Sequence, residues 1–269
     1  MKAVVLSIVA ALAALSSVGS ETIKLPAPDG DSGVTVTQAL QARHSERAFA
    51  DKELSPELLS GVLWAATGFN RPDKRTNATG LNKQEISVYA IMKSGAYRYD
   101  AKGNALVKVC DEDLRSAIAG HQSFAATAPV SLLIAADVSD PIYTGARSTL
   151  SNYDAGIVSG NIYLYCAANG LATVCRRSMD NDALKKALKL PDKTILHLNH
   201  PVGYPADGKG AASGASSAKA GRNRETASRP VRRSASRLLS PPLAPDTKAR
   251  LRETRKDTKR TVVTLVDPN

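Results

Sequence analysis

Four of the five consecutive residues 43–47 have side chains that bind phosphate: Arg43, His44, Ser45 and Arg47, with Glu46 between them. A guanidinium offers paired donors that match a phosphate, and an imidazole and a hydroxyl can add further hydrogen bonds. With two arginines in the run, one cation can hold a phosphate while the other lies beside an electron-rich ring. This is the chemistry of a nucleotide cofactor site, although a basic run on a helix is more often a solvated face.

Three later segments add polar and glycine-rich motifs in a defined order: residues 79–84, 154–161 and 170–178. Together with residues 43–47 they resemble the flavin-dependent nitroreductase family, and the resemblance covers about residues 25–205. Residues 95–100 and the ending 200–205 resemble the branch of that family that includes the azoline-forming oxidases of modified-peptide biosynthesis.

The resemblance implies FMN as the cofactor. Arg43, His44 and Ser45 match the run that holds the phosphate and ribityl chain, and Arg47 matches a basic residue beside the pyrimidine end of the ring. A cation there stabilises the negative charge of the reduced ring and raises its reduction potential. Relatives usually have a basic residue after the Gly-Tyr-Pro ending, whereas this chain has Ala206, and Lys209 is the nearest cation that could replace it.

Two further parts of the flavin site follow from the same resemblance. Asn82, with Gln84 nearby, matches an amide that hydrogen-bonds the polar edge of the ring, although a plain turn residue is the alternative. A later loop is expected to direct backbone N–H groups toward the hydride-accepting nitrogen, and its side chains could be merely exposed. That loop consists of Cys175, Arg176, Arg177 and Ser178.

The fold expected from pattern and resemblance is α+β, with a mixed sheet covered by helices and a two-fold dimer that holds FMN at its interface. Helical spacing predicts helices over residues 35–43, 55–67 and 151–169, and a cap at Asp180 predicts another running to Leu190. Alternating or continuous apolar residues predict strands at 86–92, 130–136 and 195–202, and a hairpin over 97–109.

Neither a metal site nor a catalytic triad is predicted. The histidines His121, His197 and His200 lack metal-ligand spacing and a neighbouring nucleophile, so structural roles are expected for them. The three cysteines, at 110, 166 and 175, are too widely spaced for a zinc site, and no structural disulfide is expected. No Gly-x-Gly-x-x-Gly segment follows a strand, so NAD(P)H would stack directly on the flavin.

The two ends of the chain differ from the middle. Residues 1–20 have a cationic start, an apolar run and small residues at 16–20, which predicts a cleaved signal peptide and a periplasmic location. Residues 21–206 would form the flavin domain. Residues 207–269 hold +9 of the formal net charge of +11 and are predicted to be a disordered basic tail. Such a tail is predicted to be passive, with contact to anionic surfaces as the alternative.

The predicted reaction is a ping-pong hydride transfer from NAD(P)H to nitroaromatics, quinones or similar small acceptors, without a protein nucleophile. Two alternatives stay open at this point. One is a non-catalytic flavin-binding or peptide-interaction protein with the same fold, and the other is an azoline-type oxidase. No nucleic acid is required by any of these functions.

Overall fold

The computed structural model describes residues 21–28 and 32–208, which form an α+β fold. The strands in this part of the chain are Thr22–Lys24 (β1), Phe69–Arg71 (β2), Lys74–Arg75 (β3), Ile86–Met92 (β4), Gly95–Asp100 (β5), Ala105–Cys110 (β6), Val130–Asp137 (β7), Ala172–Thr173 (β8) and Thr194–Gly203 (β9). Its α-helices are Val36–Ala42 (α1), Pro56–Thr67 (α2), Arg115–Ala119 (α3), Leu150–Ala168 (α4) and Asn181–Ala187 (α5). The predicted signal peptide and all but the first two residues of the predicted tail lie outside the described residues.

Seven strands form one sheet in the order β1-β6-β5-β4-β7-β9-β8, and β2 pairs with β3 in a separate ribbon. Every pairing between the described strands is antiparallel. The α+β class is therefore confirmed, but the expected mixture of strand directions is not found among these strands. Short turns join β4 to β5 and β5 to β6, and such turns reverse the chain and produce antiparallel neighbours.

Helices cover both faces of the sheet because side chains of the central strands alternate between two cores. Leu132 and Ile134 of β7 pack in one core with Ile162 of α4. Leu133, which points to the other face, packs in a second core with Ile118 of α3. Strand β7 is buried except at its last residue, as its continuous apolar sequence predicted.

Most helix ends lie where the sequence predicted them. Helix α2 begins after the N-cap Ser55, and the 19-residue α4 is followed by Gly170 with a φ of +66°. Helix α5 ends at Ala187 rather than at Leu190, because Lys189 has a φ of +50° that cannot continue a right-handed helix. Among the described residues, no helix is both long and apolar enough to cross a membrane.

Candidate functional site

Residues 43–47 begin where α1 ends. A capping box starts that helix, since Gln38 N–H donates to Thr35 Oγ1 at 3.2 Å and Thr35 N–H donates to Gln38 Oε1 at 2.8 Å. The helix stops because Arg43 turns to an extended conformation while its N–H still donates to Ala39 O. The short helix α1 thus places residues 43–47 at the protein surface.

The cations of this segment remain available to a ligand. Arg43 and Arg47 are exposed, and neither forms an ion pair with another described residue. The one carboxylate of the segment is turned toward its own backbone, because Glu46 Oε1 accepts from Arg47 N–H at 2.7 Å and from Ala48 N–H at 3.0 Å. His44 lies beside it, with Nδ1 2.8 Å from Ala42 O. A phosphate here would meet exposed guanidinium, imidazole and hydroxyl groups.

Tyr163 of α4 connects two of the motifs singled out in the sequence. Its hydroxyl accepts from Cys175 N–H at 2.8 Å and lies 2.8 Å from Ser45 Oγ. Because the Cys175 N–H donates to it, the Tyr163 hydroxyl is free to donate to Ser45. Arg43 also lies over the Tyr163 ring, at 5.2 Å from the centroid. Tyr163 was not predicted from the sequence, because α4 contains two other tyrosines, Tyr153 and Tyr165, and no neighbouring residue distinguishes it from them.

His200 lies buried behind Tyr163, and its two ring nitrogens are both engaged. Nε2 lies 2.8 Å from Ser159 Oγ, and Nδ1 lies 3.1 Å from Thr173 Oγ1. Burial lowers the pKa of His200 to about 3, so the imidazole is neutral. The ring packs edge-on against Tyr163, with centroids 5.1 Å apart. His200 therefore supports the site from within, as predicted. We call Ser45, Tyr163, Thr173, Cys175 and His200 the Tyr163 cluster.

Arg176 is a buried structural residue rather than an exposed one. Only 5% of it is accessible, and its guanidinium donates to Ile118 O, Ala119 O and Asn199 Oδ1 at 3.3, 2.6 and 2.8 Å. The two carbonyls belong to the end of α3, where helix carbonyls lack intrahelical partners. The alternative that Arg176 is merely exposed is therefore excluded, because its guanidinium hydrogen-bonds the end of a neighbouring helix.

The same loop leaves two backbone N–H groups available. Cys175 N–H donates to Tyr163 and Arg176 N–H donates to Asn199 O at 2.8 Å. The N–H groups of Arg177 and Ser178 have no partner among the hydrogen bonds of the described residues. Ser178 Oγ lies 3.0 Å from His121 Nδ1, which holds the loop at its far end. If a ring nitrogen faces this loop, these two donors are the ones that remain for it.

Asn82 and Gln84 lie in a strained loop at the other end of α4. Leu81, Asn82 and Gln84 have φ values of 54°, 56° and 54°, which non-glycine residues rarely adopt. Gln84 Nε2 donates to Asn82 Oδ1 at 3.1 Å and to Asp73 O at 2.9 Å, so the two predicted amides contact each other. We call residues 79–85 the Asn82 loop.

A pair of buried carboxylates lies beneath the Asn82 loop. Asp154 Oδ2 of α4 accepts from Gly80 N–H at 2.9 Å and holds the loop. Glu85 is only 9% exposed, and its carboxylate lies next to Asp154 and the Tyr143 hydroxyl without a well-formed hydrogen bond to either. Burial and the neighbouring Asp154 raise the pKa of Glu85, and burial with the nearby Glu85 raises the pKa of Tyr143. Ionisation of Glu85 next to this loop is therefore electrostatically unfavourable.

The structure places the predicted residues in two groups rather than one. Asp154 and Tyr163 are nine positions apart on α4, which corresponds to about 13 Å along its axis. No described hydrogen bond or ion pair joins residues 43–47 to Asn82 or Gln84. This separation suits an extended mononucleotide, whose phosphate and ring lie at opposite ends.

Ala206, at the position where relatives usually have a basic residue, lies beside the basic segment at residues 43–47. Ala206 N–H donates to Ala48 O at 3.1 Å, and Phe49 pairs with Pro205. The side chain of Ala206 is exposed, so a basic residue at this position would project next to residues 43–47. The ending of the domain is thus positioned where the resemblance requires it, but without the cation. Lys209 lies outside the described residues.

All three cysteines are free thiols, and burial raises the pKa of Cys166 well above its usual range. Within residues 21–28 and 32–208, no group of three or more His, Cys, Asp or Glu side chains is arranged to hold a metal ion. The polar chemistry of this region therefore comes from the arginines, the hydroxyls and the loop amides.

Comparison with known proteins gives consistent results. The model of the nitroreductase family matches residues 40–204. A solved structure named as a nitroreductase, from Ralstonia eutropha JMP134, is 33% identical with a TM-score of 0.63, over 71% of this chain and 92% of that one. Another so named, from Anabaena variabilis, is 18% identical with a TM-score of 0.59, over 69% of this chain but 42% of that one. No curated protein matches the chain.

Proposed function

This chain belongs to the nitroreductase family, and we propose that it is an FMN-dependent oxidoreductase that transfers hydride from NAD(P)H to small acceptors such as nitroaromatics and quinones. The observation that supports this most is the position of the Tyr163 hydroxyl. It joins Ser45 of the basic segment to the backbone of the Cys175–Ser178 loop. Two motifs that are about 130 residues apart in the sequence therefore contribute to one surface.

The residues present fit the cofactor. Arg43, His44 and Ser45 would hold the phosphate and ribityl chain, because their polar groups are exposed on the same segment. The unpartnered N–H groups of Arg177 and Ser178 would hold the ring. When bound, FMN supplies the hydride chemistry, accepting it from a donor and passing it to an acceptor. Arg47 would lower the energy of the reduced state through its charge.

The exposed face of α4 supports a dimer of the kind that the family resemblance implies. Tyr153 and Ile157 are 66% and 41% exposed, and Gly156 and Gly160 lie on the same side of the helix. A Cβ added at either glycine would meet nothing within 4 Å in the single chain. Small and apolar residues at this spacing suit close packing against a second copy of α4.

Substitution at Gly160 tests the dimer without disturbing the single chain. Gly160→Leu should abolish dimerisation and release FMN, because the added side chain would project into the proposed partner. The oligomeric state is measured by analytical ultracentrifugation. Lys186→Leu places the same side chain on exposed α5 and should leave the dimer intact. A dimer that persists in Gly160→Leu would exclude this helix face as the interface.

We further propose that the chain is exported and that NAD(P)H is the donor only in vitro, with a reduced quinone or a partner protein as the native donor, because nicotinamide cofactors are not expected outside the cytoplasm. The support is the sequence of residues 1–20 alone. N-terminal sequencing of the protein from a periplasmic fraction should find the chain beginning at residue 20 or 21. An intact Met1 in a cytoplasmic fraction would refute export and leave the enzyme proposal standing.

The enzyme proposal itself is tested by flavin content. The purified protein should be yellow and should release about one FMN per subunit on heating. Arg47→Ala should slow flavin reduction, because loss of one such electrostatic contact costs roughly 2 to 4 kcal/mol of transition-state stabilisation. A colourless protein that takes up no added FMN would refute the proposal. Flavin binding without turnover would indicate the non-catalytic alternative, and azoline oxidation would place the chain in the peptide-modifying branch.

A further inference from the structure

A cavity of about 360 Å³ opens beside Arg177, between the first half of α4 and strand β9. Its walls include the apolar side chains of Ile195, Leu196 and Leu198. Three polar residues interrupt those walls, namely Asn152, Arg177 and His197. Pockets that bind small molecules have this composition, with mostly apolar surface and a few convergent polar groups. The volume lies at the lower end of the range for such pockets and suits a single-ring compound.

His197 differs from His200 in having an unsatisfied ring nitrogen. Only 8% of His197 is exposed, and its Nε2 has no hydrogen-bond partner in the described part of the chain. Burial lowers the pKa of His197, and the nearby charge of Arg177 lowers it further. The ring is therefore neutral at pH 7. A buried nitrogen without a partner destabilises a fold, and a ligand in the cavity could supply the missing hydrogen bond.

Arg177 gives the cavity a positive charge. The residue is exposed, and its guanidinium forms no ion pair or hydrogen bond with another described residue. No Asp or Glu lines this cavity. The backbone N–H of Arg177 is one of the two that remain available to a flavin ring. The cavity therefore adjoins the loop that is proposed to hold the flavin ring.

We propose that this cavity is the acceptor subsite and that it selects small planar acceptors that carry a carboxylate. The guanidinium of Arg177 would bind the carboxylate as a paired donor. His197 Nε2, the buried nitrogen without a partner, would bind a second polar group, and the apolar walls would contact the ring. This inference rests on the proposed function, because it places the acceptor against a flavin held by the Cys175–Ser178 loop.

Two acceptors with the same nitro group test the selectivity. 4-Nitrobenzoate and 4-nitrobenzamide have nearly the same size, and only the first carries a charge. In the wild type, kcat/KM should favour the benzoate. In Arg177→Gln this preference should fall about tenfold, as expected for the loss of one charge-assisted contact. Lys186→Gln removes an exposed charge from α5 and should keep the wild-type preference. An unchanged preference in Arg177→Gln would overturn the proposal.

Measurements of direct binding and of flavin reduction by NADPH show which anion Arg177 binds, namely the acceptor carboxylate, the donor phosphates or the cofactor. Isothermal titration calorimetry should show 4-nitrobenzoate binding to the wild type about tenfold more tightly than to Arg177→Gln. The Arg177→Gln substitution should change the rate of anaerobic flavin reduction by NADPH much less than it changes the acceptor selectivity. A matching loss in NADPH reduction would assign Arg177 to the donor phosphates, and a loss of FMN content would assign it to the cofactor. Either result would refute the acceptor subsite. A wild type without flavin would instead refute the proposed function.

A second variant keeps the test independent of Arg177. His197→Leu removes the unsatisfied nitrogen and should raise the melting temperature, because a buried polar atom without a partner is lost. The same variant should weaken 4-nitrobenzoate binding. A more stable protein with unchanged binding of 4-nitrobenzoate would show that His197 is not part of an acceptor subsite, and it would overturn the proposal.

Discussion

The Tyr163 cluster and the Asn82 loop both contact α4, and they are built from opposite kinds of interaction. In the Tyr163 cluster each buried polar group has a partner, and the imidazole of His200 is neutral between two hydroxyls. In the Asn82 loop Leu81 and Gln84 have left-handed backbones that such residues rarely adopt, and the nearby Glu85 carboxylate has no well-formed hydrogen bond. The hydrogen bonds of the Tyr163 cluster stabilise the fold, whereas the Asn82 loop combines backbone strain with a buried carboxylate at a proposed contact to the flavin ring.

The two regions should therefore respond to pH in opposite directions. A histidine whose folded pKa is lowered contributes stability above its unfolded pKa and loses it as the pH falls. A carboxyl group whose folded pKa is raised contributes stability at low pH and loses it as the pH rises. His200 and Glu85 represent these two cases. The following predictions test this contrast.

The largest effect is expected for His200 in acid. Its pKa is lowered to about 3 from an ordinary value of 6.5. The free energy of unfolding should decrease by up to about 5 kcal/mol from this group as the pH falls from 6.5 to 3. Urea denaturation at several pH values measures it. His200→Gln should show a flatter dependence between pH 6 and 4, and curves of equal slope would contradict this role.

Removal of the Tyr163 hydroxyl should have the next largest effect. Tyr163→Phe keeps the ring but leaves Cys175 N–H and Ser45 Oγ without their partner. We expect about 2 kcal/mol less stability and a lower FMN content, because the basic segment is no longer tied to the loop. Chemical denaturation and flavin absorbance report these two effects. Ser116→Ala, which removes an exposed hydroxyl from α3, should change stability by less than about 0.5 kcal/mol.

Neutralisation of Glu85 should stabilise the second region. Glu85→Gln removes a buried carboxylate that is costly to ionise. At pH 8 the variant should be more stable than the wild type by about 1 to 2 kcal/mol, and at pH 4 the two should be nearly equal. Thermal denaturation at both pH values decides between this and a structural role. Destabilisation at pH 8 would mean that the carboxylate has a partner and that the loop depends on it.

The smallest effect is expected from relief of backbone strain. Leu81 is 71% exposed with a φ of +54°, so Leu81→Gly removes strain and almost no packing. Stability should increase by about 0.5 kcal/mol, since glycine adopts this conformation freely. Lys186→Gly, on helix α5, should instead decrease stability by up to about 1 kcal/mol. If both substitutions destabilise the protein, the backbone at Leu81 is not strained in solution.

Much of the fold could be read from local patterns. The strands at 86–92 and 130–136, the hairpin over 97–109 and the end of α4 at Gly170 were all predicted, because alternation, caps and turn residues are encoded in neighbouring positions. The predicted continuation of α5 to Leu190 was wrong, since the left-handed conformation of Lys189 has no strong signature in a lysine.

The roles within the site depended on residues that are distant in the sequence. Nothing near Arg176 indicates that its side chain would turn inward to meet carbonyls of α3, which lies almost sixty residues earlier. For the same reason, neither Tyr163 nor Glu85 was predicted to belong to the site. Their partners, or the lack of them, are set by how α4 packs against loops from other parts of the chain.

The sequence by itself thus determined the family, the longer helices and strands and the position of the basic segment, because motifs and periodicity are properties of contiguous residues. Only the tertiary structure decided which arginine is buried, which histidine is satisfied and which two N–H groups of the Cys175–Ser178 loop lack a partner. Those outcomes depend on burial and on hydrogen-bond partners, and both arise when segments that are far apart along the chain pack together.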